Sequence, residues 1–469
     1  MSSLPKIQLY NTLSRTIEEL RPITSGEVKL YCCGPTVYNF QHIGNLRTYI
    51  WEDILARMLR QAGYKVTHVM NITDVGHLAS DADEGEDKMM LAMKREKKKS
   101  EEIADYYTKV FFDDCAALNI QKPDIVCKAT EHIAQMIALI KRLEERGCAY
   151  QAGGNVYFDV RSISDYGKLA RLNLDKLQAG ARIEQDSNKR NPHDFALWFT
   201  KSKFENQELQ WDSPWGRGYP GWHIECSAMA MHYLGEQFDI HCGGIDHVPV
   251  HHTNEIAQSE GATGKAWVTI WMHGEFLVLG TEKMAKSKGN FITVNTLREN
   301  SIDPLAYRYF LLGAHYRTQL SFTLDILRNA QQGFEKLRSA LIQLRAENSP
   351  APMLSAAAEP FKVEFFESIR NDLGTAQALA LVHKTLQSEL PPSEKLSLLL
   401  TFDEVLGLGM AHWKAAQVEL TPALQALIDA RKAARAAKNW PESDRLRDEI
   451  AKLGYIVEDG AGGQKLKKG

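Results

Sequence analysis

The chain has 469 residues, of which 44% are hydrophobic and 25% are charged, and its formal net charge is −3. These values are typical of a globular protein with two to four domains, and they exclude a chain whose overall charge attracts nucleic acid. No apolar run approaches the ~20 residues of a membrane span, and the first residues do not resemble a signal peptide. With seven cysteines and no secretory signal, we expect a cytoplasmic protein with reduced thiols and no membrane contact.

The first predicted elements form a β-α-β unit. Glu27 to Cys32 alternates like a short strand and leads into a turn at Gly34-Pro35. Arg47 to Ala62 carries apolar residues at helical spacing, and Val66 to Ile72 predicts a second strand. This order is typical of the opening of a parallel, Rossmann-like sheet, in which the loop before the helix meets phosphate groups.

That loop carries the motif P-T-V-Y-N-F-Q-H-I-G-N. Near a predicted helix N-terminus, unpaired N–H groups and the positive end of the helix dipole attract anions, and glycine lets a ligand approach the backbone. A lone H-I-G motif is a weak signal because chance matches are common. The residues that we predict to bind the nucleotide here are Pro35, Thr36, His42, Gly44 and Asn45.

A second motif, K-M-A-K-S, follows much later in the chain. Lysines in a loop stabilise the charge that develops when a carboxylate attacks the α-phosphate of ATP and pyrophosphate leaves. Taken alone, this segment is also typical of a solvated basic loop, but the first motif favours a nucleotide-binding role. The residues concerned are Lys283, Met284, Ala285, Lys286 and Ser287.

Four side chains from distant stretches suit a soft metal: Cys33, Cys226, His251 and Glu255. His251 and Glu255 lie four residues apart, so they share one face of a helix. Two thiolates, an imidazole and a carboxylate suit Zn²⁺ in number and in chemical hardness. Ligands this far apart are a weaker signal than a C-x-x-C pair, and His252 stays an alternative to His251 because spacing does not separate neighbouring histidines.

With both motifs and these candidate ligands, the chain resembles the cysteinyl-tRNA synthetases, a family of class I aminoacyl-tRNA synthetases. The resemblance implies one Zn²⁺ per chain on Cys33, Cys226, His251 and Glu255. It also implies ATP as a substrate, accompanied by Mg²⁺, and L-cysteine and tRNA(Cys) as partners of a monomeric enzyme. Zinc would select the cysteine thiol over the serine hydroxyl, since hydrophobic fit alone discriminates only modestly between similar side chains.

The resemblance assigns roles to individual residues. The side chains expected to hold ATP and to stabilise pyrophosphate are His42, Asn45, Lys283 and Lys286. The residues expected to contact the substrate are Gly34, Thr36, Thr73, Trp222 and Asp246. A core tryptophan is the alternative for Trp222, and a structural turn residue is the alternative for Asp246.

The chain departs from the family pattern at several positions. Asn45 stands where the family has a histidine, and Ala285 stands where it has a serine. The other residues of each motif are kept. Cys242 stands where the family usually has glycine, close in sequence to the candidate metal ligands. Near the C-terminus, Glu458-Asp459-Gly460 is not followed by the family's tryptophan-containing turn. The cysteines that we expect to be inert are Cys32, Cys115, Cys127 and Cys148.

We therefore predict an α/β protein whose Rossmann-like catalytic domain holds an inserted subdomain and is followed by a helical bundle and a small C-terminal anticodon-binding domain. The bundle rests on amphipathic patterns at Leu324 to Ala346, Val363 to Leu386 and Pro392 to Leu406, and Thr421 is the expected N-cap of the last module. The predicted boundaries are 1–115 and 202–320 for the catalytic halves, 116–201 for the insert, 321–415 for the bundle and 416–469 for the C-terminal domain.

Two other functions remain open from the sequence. A ligase that joins cysteine to an amino sugar, as in mycothiol synthesis, resembles the same catalytic half but does not need a tRNA-reading C-terminus. A non-catalytic, synthetase-like RNA-binding protein would be expected to lose nucleotide or metal residues, and this chain keeps both sets.

Overall fold

The computed structural model describes residues 4–75, 88–172, 187–201, 208–279, 282–283, 291–414, 421–460 and 463–468. The strands in these segments are β1 (Gln8–Asn11), β2 (Thr16–Glu19), β3 (Glu27–Cys32), β4 (Lys65–Ile72), β5 (Ile125–Lys128), β6 (Ala149–Ala152), β7 (Asn155–Phe158), β8 (Phe195–Phe199), β9 (Tyr219–Pro220), β10 (Phe238–Gly244), β11 (Val268–Gly274), β12 (Leu277–Leu279), β13 (Glu282–Lys283), β14 (Leu320–Phe322), β15 (Tyr455–Gly460) and β16 (Gly463–Lys468).

The α-helices surround the central sheet and form most of the second half of the chain. They are α1 (Ile43–Gln61), α2 (Lys88–Glu96), α3 (Ser100–Ala117), α4 (Ile133–Glu145), α5 (Trp222–Leu234), α6 (His251–Thr263), α7 (Val294–Glu299), α8 (Pro304–Leu312), α9 (Leu324–Glu347), α10 (Glu359–Arg370), α11 (Thr375–Gln387), α12 (Pro392–Leu406), α13 (Pro422–Ala436) and α14 (Trp440–Lys452). Among the described residues, no helix is long and apolar enough to cross a bilayer.

The central sheet has five parallel strands in the order β11–β10–β3–β4–β5. Alternate side chains of β3 enter two different apolar clusters, because successive residues of a strand face opposite sides. Leu30 and Cys32 pack with α1 and the helical region, whereas Tyr31 and Cys33 pack with α4, α5 and α6. We call these sides the α1 face and the α5/α6 face. The predicted Rossmann-like parallel sheet is confirmed.

The segment between β5 and β10 contains a second sheet. Strands β6, β7, β8 and β9 pair antiparallel in chain order. Strand β5, at Ile125–Lys128, pairs with β4 in the central sheet although it lies inside the range predicted as an insert, 116–201. Its four residues carry too short a pattern to show by themselves which sheet they join. The domain boundaries given above stay predictions.

The helical region differs from its sequence pattern at one point. The pattern from Val363 to Leu386 predicts one helix, but the structure has two, α10 and α11. Between them Asp372 and Leu373 adopt φ angles of 53° and 56°, which are uncommon for residues other than glycine. The Asp372 carboxylate accepts hydrogen bonds from the Tyr10 amide at 2.9 Å and the Tyr316 hydroxyl at 2.8 Å. These long-range contacts hold the break that amphipathic periodicity does not reveal.

The C-terminal segment consists of two helices and a hairpin. Thr421 caps α13 by accepting from the Leu424 amide, as its position before Pro422 predicts. Strands β15 and β16, which the sequence did not predict, pair antiparallel after α14. The buried guanidinium of Arg431 donates two 2.9 Å hydrogen bonds to Asp459. Asp459, in the segment that departs from the family pattern, therefore links the hairpin to α13 through Arg431.

Candidate metal centre and active site

The four candidate metal ligands come from the end of β3 and from two helices of the α5/α6 face. Cys33 follows β3 directly, and its amide donates to the carbonyl of Cys242 on β10 at 3.3 Å. Cys226 lies on α5, while His251 and Glu255 lie one turn apart on α6. Each residue offers a ligand atom within 4.8 Å of those of the other three, and all four residues are buried. The structure thus gathers the predicted set into one cluster.

The geometry inside this cluster fits a shared cation. Glu255 Oε1 lies 2.8 Å from His251 Nε2, yet this buried oxygen has no hydrogen-bond partner of acceptable geometry among the described residues. Both atoms are good zinc ligands, and with two sulfurs they would give the four donors that a zinc ion takes. The residues present therefore fit Zn²⁺.

Further side chains hold the candidate ligands in place. Glu255 Oε2 lies 2.9 Å from His241 Nε2, and His251 Nδ1 lies 3.0 Å from His223 Nδ1. Partners of this kind fix the orientation of metal ligands. Sequence reasoning missed His241 and His223, because a histidine in a buried strand or helix gives no signal of what it faces.

The charges of the cluster are strongly coupled. Burial alone would raise the pKa of Glu255, but His251 and His241 lower it to about 2. Burial would likewise lower the pKa of His251, but Glu255 and Cys226 raise it to about 10. A hydrogen bond from Cys33, together with His251, lowers the pKa of the Cys226 thiol. Glu255 is therefore ionised and His251 is protonated, and a metal ion bound here would take the place of the His251 proton.

His252 remains a geometric alternative to His251. Cys33, His241, His252 and Glu255 form an overlapping set within the same 4.8 Å limit. However, His252 Nε2 is 3.9 Å from Glu255 Oε1, and its Nδ1 lies 2.8 Å from His273 Nε2. Only the set with His251 contains two thiols, which is the softer donor set.

Trp222 and Asp246 occupy different surroundings. The indole of Trp222 stacks on His251, with ring centroids 4.3 Å apart and an interplanar angle of 25°. Trp222 thus lies directly against a candidate ligand, and its expected contact with the substrate stays a prediction. Asp246 is exposed in a short 3₁₀ turn, Ile245–His247, just after β10.

The loop after β3 lies against the end of β4. Thr36 forms a bridge with Thr73, and the Thr73 amide donates to the Pro35 carbonyl at 3.1 Å. A Cβ on Gly34 would come within 1.6 Å of the Asn71 carbonyl oxygen, so only glycine fits there. The predicted contact residues Gly34, Thr36 and Thr73 therefore share the carboxyl edge of the sheet, where parallel α/β sheets bind ligands.

The Thr73 hydroxyl leads to a residue that the sequence did not single out. This hydroxyl donates to Glu225 Oε2 at 3.2 Å and accepts from the Asn71 side chain at 3.0 Å. Glu225 is fully buried on α5, directly before Cys226. It connects the end of β4 to the helix that carries a candidate metal ligand.

His42 and Asn45 form the start of α1. The His42 side chain accepts from the Asn45 amide at 3.0 Å, and the Asn45 side chain accepts from the His42 amide at 3.4 Å. The helix begins at Ile43, earlier than its apolar spacing predicts, so Gly44 and Asn45 lie in its first turn. A Cβ on Gly44 would lie 3.0 Å from His42 Nδ1. Asn45 thus takes part in a reciprocal capping arrangement.

The second nucleotide motif is described only at its first residue. The backbone of Lys283 belongs to β13. The side chain of Lys283 and the residues Met284, Ala285, Lys286 and Ser287 lie outside the described residues.

Comparison with known proteins decides the family. A model of the class I (C) tRNA synthetase catalytic domain matches residues 19–332, and a model of the cysteinyl-tRNA ligase anticodon-binding domain matches residues 417–465. The cysteine–tRNA ligase of Treponema denticola is 48% identical over 98% of this chain and 99% of its own length. The chain belongs to the cysteinyl-tRNA synthetase family. It is an aminoacyl-tRNA synthetase, and the family resemblance predicted from its motifs is confirmed.

Other relatives agree with this membership. Cysteine–tRNA ligase 1 of Burkholderia lata is 46% identical over 98% of this synthetase and 96% of its own length. Among solved structures, methionyl-tRNA synthetase of Mycobacterium tuberculosis in complex with methionyl-adenylate has a TM-score of 0.56 at 15% identity. That match covers 81% of this chain and 90% of the other, and at such low identity it supports the class I synthetase fold alone.

Proposed function

We propose that this synthetase activates L-cysteine with ATP and transfers the cysteinyl group to the 3′ end of tRNA(Cys). The observation that carries the proposal is the convergence of Cys33, Cys226, His251 and Glu255 at the carboxyl edge of a Rossmann-like sheet. Zinc bound there would lower the pKa of the substrate thiol until it binds as a thiolate, whereas a serine hydroxyl would gain far less. The metal would therefore select cysteine over serine. Trp222, stacked on His251, would exclude water from the side of the pocket that it covers.

In the first step, a carboxylate oxygen of cysteine attacks the α-phosphorus of ATP, and the bond to the β-phosphate oxygen breaks, releasing pyrophosphate. His42 and Asn45 at the N-terminus of α1 would orient the nucleotide, since this helix end favours anions. Lys283 and Lys286 would stabilise the leaving pyrophosphate, with Mg²⁺ accompanying ATP. Catalysis would then depend on positioning and electrostatics, without a nucleophile from the protein.

In the second step, a ribose hydroxyl of the tRNA attacks the carbonyl carbon of the adenylate, and AMP leaves. The C-terminal segment, from α13 to the hairpin of β15 and β16, would read the anticodon. Because Asp459 is engaged by Arg431, we propose that other side chains of the hairpin contact the bases. We also propose that the enzyme is monomeric and acts in the cytoplasm.

The decisive test is cysteine-dependent exchange of pyrophosphate into ATP by the zinc-loaded protein. Replacing Cys226→Ser removes one thiolate, and we expect the exchange rate and the affinity of this cluster for zinc to fall by more than about 100-fold, since even indirect supports of a metal ligand contribute 10–100-fold. Cys115→Ser is the matched control, because Cys115 is buried on α3 away from the cluster and its variant should keep both properties. A Cys226→Ser protein that holds as much zinc as the wild type would contradict the ligand assignment.

A second assay separates tRNA charging from the amino-sugar ligase chemistry. Wild-type protein should esterify tRNA(Cys) with cysteine, and it should show no cysteine-dependent joining to glucosaminyl-inositol. Removal of residues 416–469 should abolish charging and leave pyrophosphate exchange largely intact, because activation needs only the catalytic domain. Exchange without charging by the intact chain would favour the amino-sugar ligase.

A further inference from the structure

A second cluster of potential metal ligands lies on the α1 face of the sheet. Cys32 of β3 and Cys242 of β10 are paired residues on neighbouring parallel strands, so both side chains leave the same face. Glu52 of α1 covers them, and the two sulfurs and a carboxylate oxygen lie within 4.8 Å of one another. The exposed fractions of the three residues are 0%, 0% and 1%.

The environment of Glu52 requires an explanation. Both of its carboxylate oxygens are buried, and neither has a hydrogen-bond partner of acceptable geometry among the described residues. Around it lies the large apolar cluster that α1 shares with the helical region. Burial raises the pKa of Glu52 well above its usual range, so without a compensating cation the carboxyl group is protonated, and a bound cation would let it ionise. The thiols of Cys32 and Cys242 lie within 4.8 Å of this carboxylate, and thiols are weak donors.

The surroundings of the two thiols are rich in sulfur. Cys32 pairs with Met70 of β4, and Cys242 pairs with Met272 of β11. One row across four neighbouring strands therefore reads Met272, Cys242, Cys32, Met70. Both methionines are buried in the same cluster as the two cysteines. Thiolates surrounded by thioethers favour soft metal ions over magnesium or calcium.

We propose that Cys32, Cys242 and Glu52 form a second site for a thiophilic divalent cation of the zinc and cadmium type. Two sulfurs bound to one zinc ion are about 3.8 Å apart, given Zn–S bonds of about 2.3 Å, so the observed spacing needs little adjustment. The cation supplies the positive charge that the Glu52 carboxylate lacks. The site is separate from the cluster of Cys33, because the two lie on opposite faces of the sheet.

A disulfide between Cys32 and Cys242 is the rival explanation for the paired thiols. It would require an oxidant, and it would leave the buried carboxylate of Glu52 without a partner. The metal site accounts for all three residues, whereas the disulfide accounts for two.

The test counts metal in the reduced, full-length protein. Protein stripped by a chelator and reloaded with zinc should bind two equivalents per chain by elemental analysis. Cys242→Gly, which introduces the residue usual in the family, and the isosteric Glu52→Gln should each lose one equivalent, so bound zinc falls by about half. Cys148→Ser is the matched control, because Cys148 is buried in the apolar cluster of the other face and belongs to neither ligand set, and it should keep both equivalents.

Cadmium identifies the residues that hold the second ion. In a Cys226→Ser background, cadmium should still give a thiolate-to-metal absorption band, and adding Cys242→Gly should abolish it. Two outcomes would overturn the inference: a single equivalent of zinc that neither Cys242→Gly nor Glu52→Gln reduces, or a Cys32–Cys242 cross-link in the unreduced protein. Failure of the proposed function would instead show as retention of both equivalents in Cys226→Ser.

Discussion

Each face of the central sheet buries a carboxylate beside two cysteines, but the carboxylate on the α5/α6 face also has histidine neighbours. On the α5/α6 face, Glu255 and His251 each meet a histidine as well as the other ligands of the cluster. On the α1 face, Glu52 and the Nε2 atom of His68 are buried without a hydrogen-bond partner among the described residues. Since the neighbours Cys32 and Cys33 enter different faces, adjacency in sequence says little about the chemistry that a side chain meets.

The α1 face also contains a fully compensated charge, which gives the largest expected effect. Arg308 is completely buried and donates to Asp53 at 2.6 Å and to the Leu406 and Leu118 carbonyls at 2.7 Å and 3.0 Å. Arg308→Met removes these donors and leaves a buried carboxylate less well compensated. We expect the free energy of unfolding to fall by about 3–5 kcal/mol in denaturant titrations.

The control for the Arg308→Met variant is a second arginine–aspartate ion pair, which is partly exposed to solvent. Arg338 pairs with Asp303, and about 31% of each side chain is exposed. Arg338→Met should lower the free energy of unfolding by less than about 1 kcal/mol. Equal losses in the two variants would show that burial does not set the contribution of these pairs.

A smaller effect is expected from His68, and it depends on pH. Burial, followed by the nearby charge of Arg60, lowers the pKa of His68 from 6.5 to about 4. Between these values the unfolded chain binds a proton that the folded protein does not. The free energy of unfolding therefore falls as the pH drops from 6.5 to 4, by about 1.4 kcal/mol per pH unit from this residue.

His68→Gln should remove that dependence. Unfolding measured at several pH values between 6.5 and 4 should show a shallower slope for the variant, with a total difference of about 3 kcal/mol at the acidic end. His232→Gln is the matched control, because His232 is exposed on α5. An unchanged slope in His68→Gln would mean that His68 has a proton-binding partner in the folded protein.

The smallest effect concerns a supporting residue of the α5/α6 face. His241 lies 2.9 Å from Glu255 and should not bind zinc when His251 does. His241→Ala should weaken zinc binding at this cluster by about 10–100-fold, which chelator competition measures, while the number of equivalents bound at saturation stays that of the wild type. If His241→Ala instead abolished binding, the overlapping set with His252 would be the true ligand set.

Much of the fold follows from local patterns in the sequence. The alternation at Glu27 to Cys32 predicts β3, and the spacing from Pro392 to Leu406 predicts α12, each with the bounds that the structure shows. Thr421 caps α13 because a hydroxyl before proline suits the first turn. Such signals lie within a few residues of one another, so a single segment contains them. The family was predictable for a related reason, because each nucleotide motif lies within one short segment, whereas the candidate ligands come from distant stretches and rested on the resemblance.

What the sequence by itself determined is therefore the fold class and the family, and it supplied candidate residues for nucleotide and metal binding that stay predictions. The tertiary structure alone decided where distant strands meet: it placed β10 beside β3, which gathers Cys33 with the ligands of α5 and α6 and pairs Cys32 with Cys242. It also broke the pattern of Val363 to Leu386 at Asp372. The physical reason is that strand order and buried polar partners depend on contacts between segments far apart in the chain, which no local periodicity encodes.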